Sequence, residues 1–396
     1  MSPEARPRVL LVDDEQQVTQ GLGMVLRRQF DVVSASSGAD GLARIEDSGP
    51  FHVIVSDMRM PGMDGAQFLA RARARVPHVT RVMLSGQADL EATIAAINEG
   101  GVFRFLAKPC APSIVRKVLQ EAIEHYEQLE SDRSLLRETL RHSAGVLTEC
   151  LALVQPLAAS QSQRIEEVVS GMLGVLAIVD TWELELASSV ALLGTLGLPP
   201  EVLGLVAVGA RLDPEDLSTW QSHAAIGATL LSGLPRFESV ASMVAQQFVQ
   251  HPASELQGPP TAWGRTVLGA ELLRLAREYL SSFRRHGDSA SAVHELRTSR
   301  QFPAALVDAL ERVPFQSLDG ESTAIRAESL SPGMVLEDDL CSREGAVIAV
   351  QGTRVNDTLV RLVRNYASRD GIQEPLRVRL PGRRDDPPAI GAQEAS

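Results

Sequence analysis

A chain of 396 residues is longer than one hydrophobic core usually serves, which implies two or three domains. An apolar fraction of 44% excludes a disordered protein, and an aromatic share of only 4% points to helix-rich packing on Leu, Val and Ala. The 50 acidic residues outnumber the 38 basic ones for a net charge of -12, which repels a polyphosphate backbone and argues against non-specific nucleic-acid binding.

The cysteines, Cys110, Cys150 and Cys341, form no CxxC pair and no even framework. A disulfide scaffold and a structural zinc site are therefore not indicated, and a reducing cytoplasm fits. The first residues, MSPEARPR, lack the apolar stretch of a signal peptide, and runs such as 202–210 fall short of the roughly 18 residues of a membrane span. A cytoplasmic protein without a membrane segment is expected.

After a short arm over residues 1–7, apolar runs at 9–12, 32–34, 53–55, 82–84 and 103–106 alternate with amphipathic stretches. This rhythm predicts a doubly wound α/β domain with five parallel strands. In such sheets the functional crevice lies beyond the carboxyl ends of the strands. The first run ends in Asp13 and Asp14, the third in Asp57, the fourth in Ser85 and the fifth in Lys108. Three carboxylates at one sheet edge repel each other unless a hard divalent cation sits among them, and magnesium is the natural occupant. A carboxylate nucleophile, a metal, a hydroxyl and an ammonium together describe phosphoryl chemistry. An Asp-Asp pair alone is more often a helix cap; the five groups in this order are far more specific.

From residue 113 the pattern turns helical. Apolar residues recur in steps of four and three at Ala122, Tyr126, Leu129, Leu136, Leu140, Leu147, Cys150 and Val154, interrupted by Arg133 and Ser143. This is coiled-coil spacing, so 113–155 reads as a helical linker and a parallel dimer stalk, the alternative being a long helix packed on its own domain. Residues 156–315 read as an all-helical domain broken at Pro199-Pro200, Asp213-Pro214, Pro235 and Gly258-Pro259-Pro260. Short β-prone pieces over 322–380 suggest a small mixed module, and 381–396 is too rich in Pro, Gly and charge to build a core.

Residues 8–126 resemble the receiver domain of bacterial two-component response regulators, with Asp13, Asp14, Asp57, Ser85 and Lys108 each on a family motif. The resemblance implies a flavodoxin-like sheet and phosphorylation of Asp57 by a histidine kinase or phosphotransfer protein. It also implies a Mg2+ site of Asp14, Asp57 and the backbone carbonyl of Arg59, with Asp13 assisting. Ser85 and Phe105 would be the switch pair beside the phosphate-contacting Lys108; Phe105 has no hydroxyl, so its rotation rests on packing. Pro61 and Gly65 match the loop after the phosphorylation site, where Gly relieves backbone strain.

The stretch SGQADLEATIAAINEGGVFRFLAKP is similar to receivers joined to HD-GYP domains, which hydrolyse cyclic di-GMP. The helices ASQSQRIEEVV, ELASSVALLGTLGLPPEVL, WQSHAAIGATLLSGLP and WGRTVLGAELLRLA resemble that domain in order. At the positions of its metal ligands stand Gln161, Ala191, Leu192, Gln246, Gln247 and Glu271, with Thr195 in place of a nearby Lys; His223 alone matches, and the GYP loop is missing around 255–262. Ala and Leu supply no lone pair, so the resemblance implies a degenerate, metal-free output domain that binds rather than hydrolyses. HDOD domains are a close alternative. His251, His286 and His294 fit no family position and read as surface or satisfied histidines, and LSPGMVLEDDL, 330–340, resembles a β-rich segment of some HD-type regulators.

The expected function is phosphorylation-switched signalling by protein contact or nucleotide sensing, with a homodimer through the linker and a downstream signalling protein as partners. The alternatives are a cyclic di-GMP phosphodiesterase with atypical ligands and a DNA-binding transcriptional regulator. Net charge and the lack of a basic helix-turn-helix disfavour the last.

Overall fold

The computed structural model describes residues 6–86, 101–207, 209–314, 322–369 and 371–380, so most of the HD-GYP-like stretch after Ser85 lies outside the described residues. The chain divides into two compact units, Met1–Glu138 and Thr139–Ser396. No described helix is long and apolar enough to cross a membrane.

The first unit alternates β1 (Arg8–Val12), α1 (Gln16–Leu26), β2 (Asp31–Ala35), α2 (Gly38–Ser48), β3 (Val53–Asp57), α3 (Gly65–Arg75), β4 (Thr80–Ser85), β5 (Arg104–Ala107) and the start of α4 (Pro112–Val154). As the alternation predicts, the strands form one parallel sheet, in the order β2-β1-β3-β4-β5. Side chains of a strand point alternately to the two faces. Val9, Leu11, Val53, Val55, Val82 and Leu84 accordingly pack in one core with residues of α1 and α4. Leu10, Val12, Ile54 and Met83 pack in another with residues of α2 and α3. Both faces are covered, and every residue of β3 is buried, which explains continuous apolar runs instead of a polar alternation.

The apolar stripe of α4 has a mixed fate. Ala122 is buried in the first unit's core, and Leu140 in the second's together with Ala144 and Leu151. Leu129, Leu136 and Val154 stay exposed, at 40%, 41% and 67%.

In the second unit follow α5 (Pro156–Val175), α6 (Trp182–Ser189), a 3-10 turn (Leu193–Gly197), α7 (Pro200–Ala207), α8 (Pro214–Ser232), α9 (Glu238–Ala245), α10 (Arg265–His286), α11 (Ser289–Ser299) and α12 (Ala304–Glu311). The Asp213-Pro214 signal is a helix start: Asp213 Oδ1 accepts from the Glu215 and Asp216 N–H groups at 2.9 and 2.8 Å, and Pro214 loses no helical bond there. Gly194 is required by close approach, because a Cβ there would lie 1.9 Å from the His223 carbonyl oxygen. This lets the 3-10 turn lie directly on α8.

The C-terminal module holds β6 (Ser322–Ile325), β7 (Val335–Leu336), β8 (Leu340–Cys341), β9 (Val347–Ala349), α13 (Asp357–Arg369) and β10 (Leu376–Arg379). Its strands form a sheet β6-β10-β7 and a pair β8-β9, both antiparallel. The module packs on the helices: the Val350 N–H donates to Ser160 Oγ of α5 at 3.1 Å, and Arg284 of α10 pairs with Asp339 at 3.0 Å.

Candidate functional site

The acidic crevice follows from strand ends. Asp13 comes directly after β1, where its N–H continues the ladder to the Ala35 carbonyl at 3.2 Å, and Asp57 is the last residue of β3. The Lys108 N–H bonds to the Ser85 carbonyl at 2.8 Å, which carries the lysine to the same edge. The backbone ladder alone therefore brings together residues far apart in sequence.

Lys108 Nζ donates to Asp13 Oδ2 at 2.7 Å and pairs with Asp57 Oδ1 at 2.6 Å. Carboxylate oxygens of Asp13, Asp14 and Asp57 lie within 4.8 Å of one another. Asp13 and Asp57 are buried, whereas Asp14 is exposed and open to an incoming ion. A set of hard oxygen donors this close, with more negative charge than one ammonium neutralises, fits Mg2+, which takes oxygen ligands and keeps several waters. Among the described residues no other group of three acidic, His or Cys side chains converges in this way.

Burial raises the Asp57 pKa above the ordinary aspartate value and the Asp13 charge adds to it, while hydrogen bonding and charge from Lys108 pull the other way. For Lys108 burial opposes the charged form, but Asp13 and Asp57 outweigh it and its pKa rises. The ammonium is thus held charged by the two acids it bridges.

Ser85 ends β4, and its hydroxyl donates to the Gly86 carbonyl at 3.1 Å. Phe105 is half-buried on β5 and packs against the core shared with α2 and α3. Arg59 is exposed shortly after Asp57. Gly65 has a different reason from the one expected. Gly62 takes the left-handed conformation in this loop, at φ 81°. At Gly65 a Cβ would meet the Asp57 carbonyl oxygen at 2.1 Å, and its N–H bonds to the Met58 carbonyl at 2.9 Å. Gly65 serves close approach, which folds the loop back on the strand that ends in Asp57.

Of the positions singled out in the helical domain, Ala191, Leu192, Thr195, His223, Gln247 and Glu271 are buried, and Gln161 and Gln246 are half-buried. Ala191 and Leu192 are fully buried apolar groups, and Thr195 Oγ1 donates to the Leu192 carbonyl at 2.7 Å. Gln247 Nε2 donates to the Ala191 carbonyl at 3.0 Å. His223 is fully buried between the rings of Trp220 and Phe248 and bonds through Nδ1 to the Trp220 carbonyl. Burial, together with the charge of Arg277, lowers its pKa to about 3, so it is a neutral imidazole at neutral pH. Gln161 and Leu192 line a cavity of about 840 Å³ beside His223.

His251 is a satisfied buried histidine: Nδ1 meets Glu271 Oε1 at 2.9 Å and Nε2 meets Gln246 Oε1 at 3.0 Å. Glu271 also pairs with Arg274 at 2.7 Å. Two of the aligned positions, Gln246 and Glu271, are therefore joined through a residue that fitted no motif. His286 pairs with Glu295 at 3.0 Å on the surface, and His294 is exposed. Sequence reasoning missed Arg274 and Arg277, both on the cavity wall, because two arginines in the amphipathic stretch RLAREYL look like an ordinary solvated face.

Residues 9–120 match the model of the response regulator receiver domain, and residues 145–250 that of the HD domain. The Hydrogenase transcriptional regulatory protein HoxA of Cupriavidus necator is 34% identical over 205 residues, 52% of this chain and 40% of its own length. The chain thus spans less than half of that relative. Among solved structures, the signal receiver domain of an HD domain-containing protein from Pseudomonas fluorescens Pf-5 is 32% identical, covering 31% of this chain and 98% of its own, with a TM-score of 0.30. One described as adenylate cyclase from Rhodopirellula baltica is 41% identical over 33% of this chain and 97% of its own, with a TM-score of 0.32. Strand order, acidic crevice and family matches agree: the chain carries a response regulator receiver domain followed by an HD domain.

Proposed function

We propose that Asp57 is a reversible phosphate acceptor and that its state is passed to an HD domain that signals by binding, through protein contact or nucleotide sensing, and not by hydrolysis. The observation that carries the first part is the bridging of Asp13 and Asp57 by Lys108 at the edge of the sheet. An oxygen of Asp57 attacks the phosphorus of a phosphohistidine from a histidine kinase or phosphotransfer protein. The bond from phosphorus to nitrogen breaks as the new one forms, leaving an acyl phosphate on Asp57 and a free imidazole. Asp13, Asp14, Asp57 and the Arg59 carbonyl would hold Mg2+, which when bound offsets charge on the transferring oxygens. Lys108 stays to pair with the new phosphoryl oxygens, and Ser85 turns its hydroxyl from the Gly86 carbonyl towards them, with Phe105 repacking behind.

The binding reading of the HD domain rests on Ala191, Leu192, Thr195 and Gln247, which offer an ion neither imidazole nor carboxylate. The exposed Leu129 and Leu136 on α4 support a homodimer through this helix, whose geometry phosphorylation alters. A cytoplasmic setting is in keeping with the free cysteines and the source of the phosphoryl group.

Mass spectrometry of the full chain treated with acetyl phosphate and Mg2+ tests the first part: an acid-labile adduct on Asp57, lost in Asp57→Asn, is expected, and its absence from folded protein would refute it. For the dimer, Leu136→Glu is expected to lower the mass measured by light scattering from that of two chains to that of one. An unchanged mass refutes the helix contact.

A further inference from the structure

The cavity beside His223 is large enough for a small organic molecule and belongs to the second unit alone. Its lining combines the aromatic rings of Trp220, Phe248, Phe283 and Phe302 with the guanidinium groups of Arg274, Arg277 and Arg284, and it also carries the carboxylates of Glu278, Asp338 and Asp339. Arg284 is neutralised by Asp339, and Arg274 by Glu271. Arg277 is not: among the described residues no carboxylate lies within ion-pair distance of it, and its one hydrogen bond donates to the Gln247 carbonyl at 3.0 Å.

A guanidinium has five N–H donors, and one carbonyl leaves most of that capacity unused. Burial lowers the Arg277 pKa to about 9, with Arg274 adding repulsion against the attraction of Glu278, so the group is still a cation at neutral pH. Its plane lies over the Phe248 ring at 3.6 Å, and Arg274 lies over Phe302 at 4.1 Å. Both forks are thereby fixed in direction, which removes part of the entropy lost when an anion is gripped. Arg274 Nε, also buried, has no hydrogen-bond partner among the described residues. A recessed cation without a counter-charge is costly, and a bound anion supplies what the chain does not.

We propose that this cavity binds a phosphate monoester with an aromatic or apolar body, its phosphate held by Arg277 and Arg274 and its body against Trp220 and the neighbouring phenyl rings. Phosphate is favoured over carboxylate because its three oxygens can accept both from Arg277 and from the unpartnered Arg274 Nε, whereas a carboxylate offers two. Of the positions the resemblance gives to metal ligands, Gln161 and Leu192 line this cavity, and its positive charge comes from arginine instead. The proposal rests on the reading that this domain binds and does not hydrolyse.

The test is isothermal titration calorimetry of the full chain with phenyl phosphate, inorganic phosphate, benzoate and phenol. Saturable binding of phenyl phosphate is expected, at least tenfold tighter than inorganic phosphate or benzoate, with none for phenol. Arg277→Gln should weaken it tenfold or more, and Leu217→Trp, which fills the cavity without touching the charge, should do the same. The surface substitution Arg297→Gln should leave it unchanged. Absence of saturable binding by the wild type, benzoate binding as tightly as phenyl phosphate, or equal affinity in Leu217→Trp and the wild type overturns the proposal. Release of inorganic phosphate with Arg277-dependent binding would support the site while refuting the non-hydrolytic reading.

Discussion

Replacing Lys108 with Met keeps the stem of the side chain and removes the charge that holds Asp13 and Asp57 together. The side chains of Asp13 and Asp57 are 0% and 9% exposed, so neither carboxylate can recover hydration in the folded state, whereas Lys108 is 24% exposed. Removing one partner of a buried ion pair costs roughly 3–5 kcal/mol, and the partial exposure of Lys108 brings this down to about 2 kcal/mol. That corresponds to a roughly 30-fold increase in local opening, since about 1.4 kcal/mol is tenfold. Hydrogen exchange of peptides from β1 and β3 in the full chain reads this opening directly. Burial already places the Asp57 pKa above its ordinary value, and loss of the ammonium raises it further. Folded protein then binds the proton that unfolded protein releases, so the deficit is full at neutral pH and shrinks as pH falls through the raised pKa. Saturating Mg2+, taking the place of the ammonium among the three carboxylates, is expected to restore most of the protection. Exchange unchanged by the substitution, or accelerated equally with and without Mg2+, would show that the crevice is not held by this charge balance.

Gly65→Ala drives a methyl group into the Asp57 carbonyl; an overpacking cost of about 2–3 kcal/mol and slower labelling of Asp57 by acetyl phosphate are expected from urea titration and mass spectrometry. Because the His223 pKa is lowered from 6.5 to about 3, the unfolded chain takes up a proton that the folded one refuses. Stability of the helical domain should therefore fall as pH drops below 6.5, by about 2 kcal/mol near pH 5, and His223→Gln should flatten that slope in urea titrations.

The receiver fold was legible because the sheet states itself in the sequence: five apolar runs, four of them leading into an acidic, hydroxyl or ammonium group at the carboxyl end. Asp13, Asp57 and Lys108 could be placed in one crevice without coordinates because parallel strands end on the same edge. The partners of those groups were less legible. That Gly65 answers to the Asp57 carbonyl, and Gly62 to backbone conformation, depends on through-space approach that no spacing encodes. The stripe on α4 read as one seam, yet Ala122 and Leu140 are covered by their own chain, since a heptad pattern does not say what covers each position. In the helical domain, helix order suggested where Gln161, Ala191, His223 and Glu271 stand relative to the family's ligands. Their chemistry could not, because the link from Glu271 to Gln246 runs through His251, which belongs to no motif.

All three tryptophans, Trp182, Trp220 and Trp263, fall in the second unit. Trp220 stands at the cavity wall with its indole 4.4 Å from the His223 ring. Tryptophan emission thus reports on the second unit, and through Trp220 it is attuned to whatever enters beside His223. The molecule carries its own optical gauge, built into the helical domain.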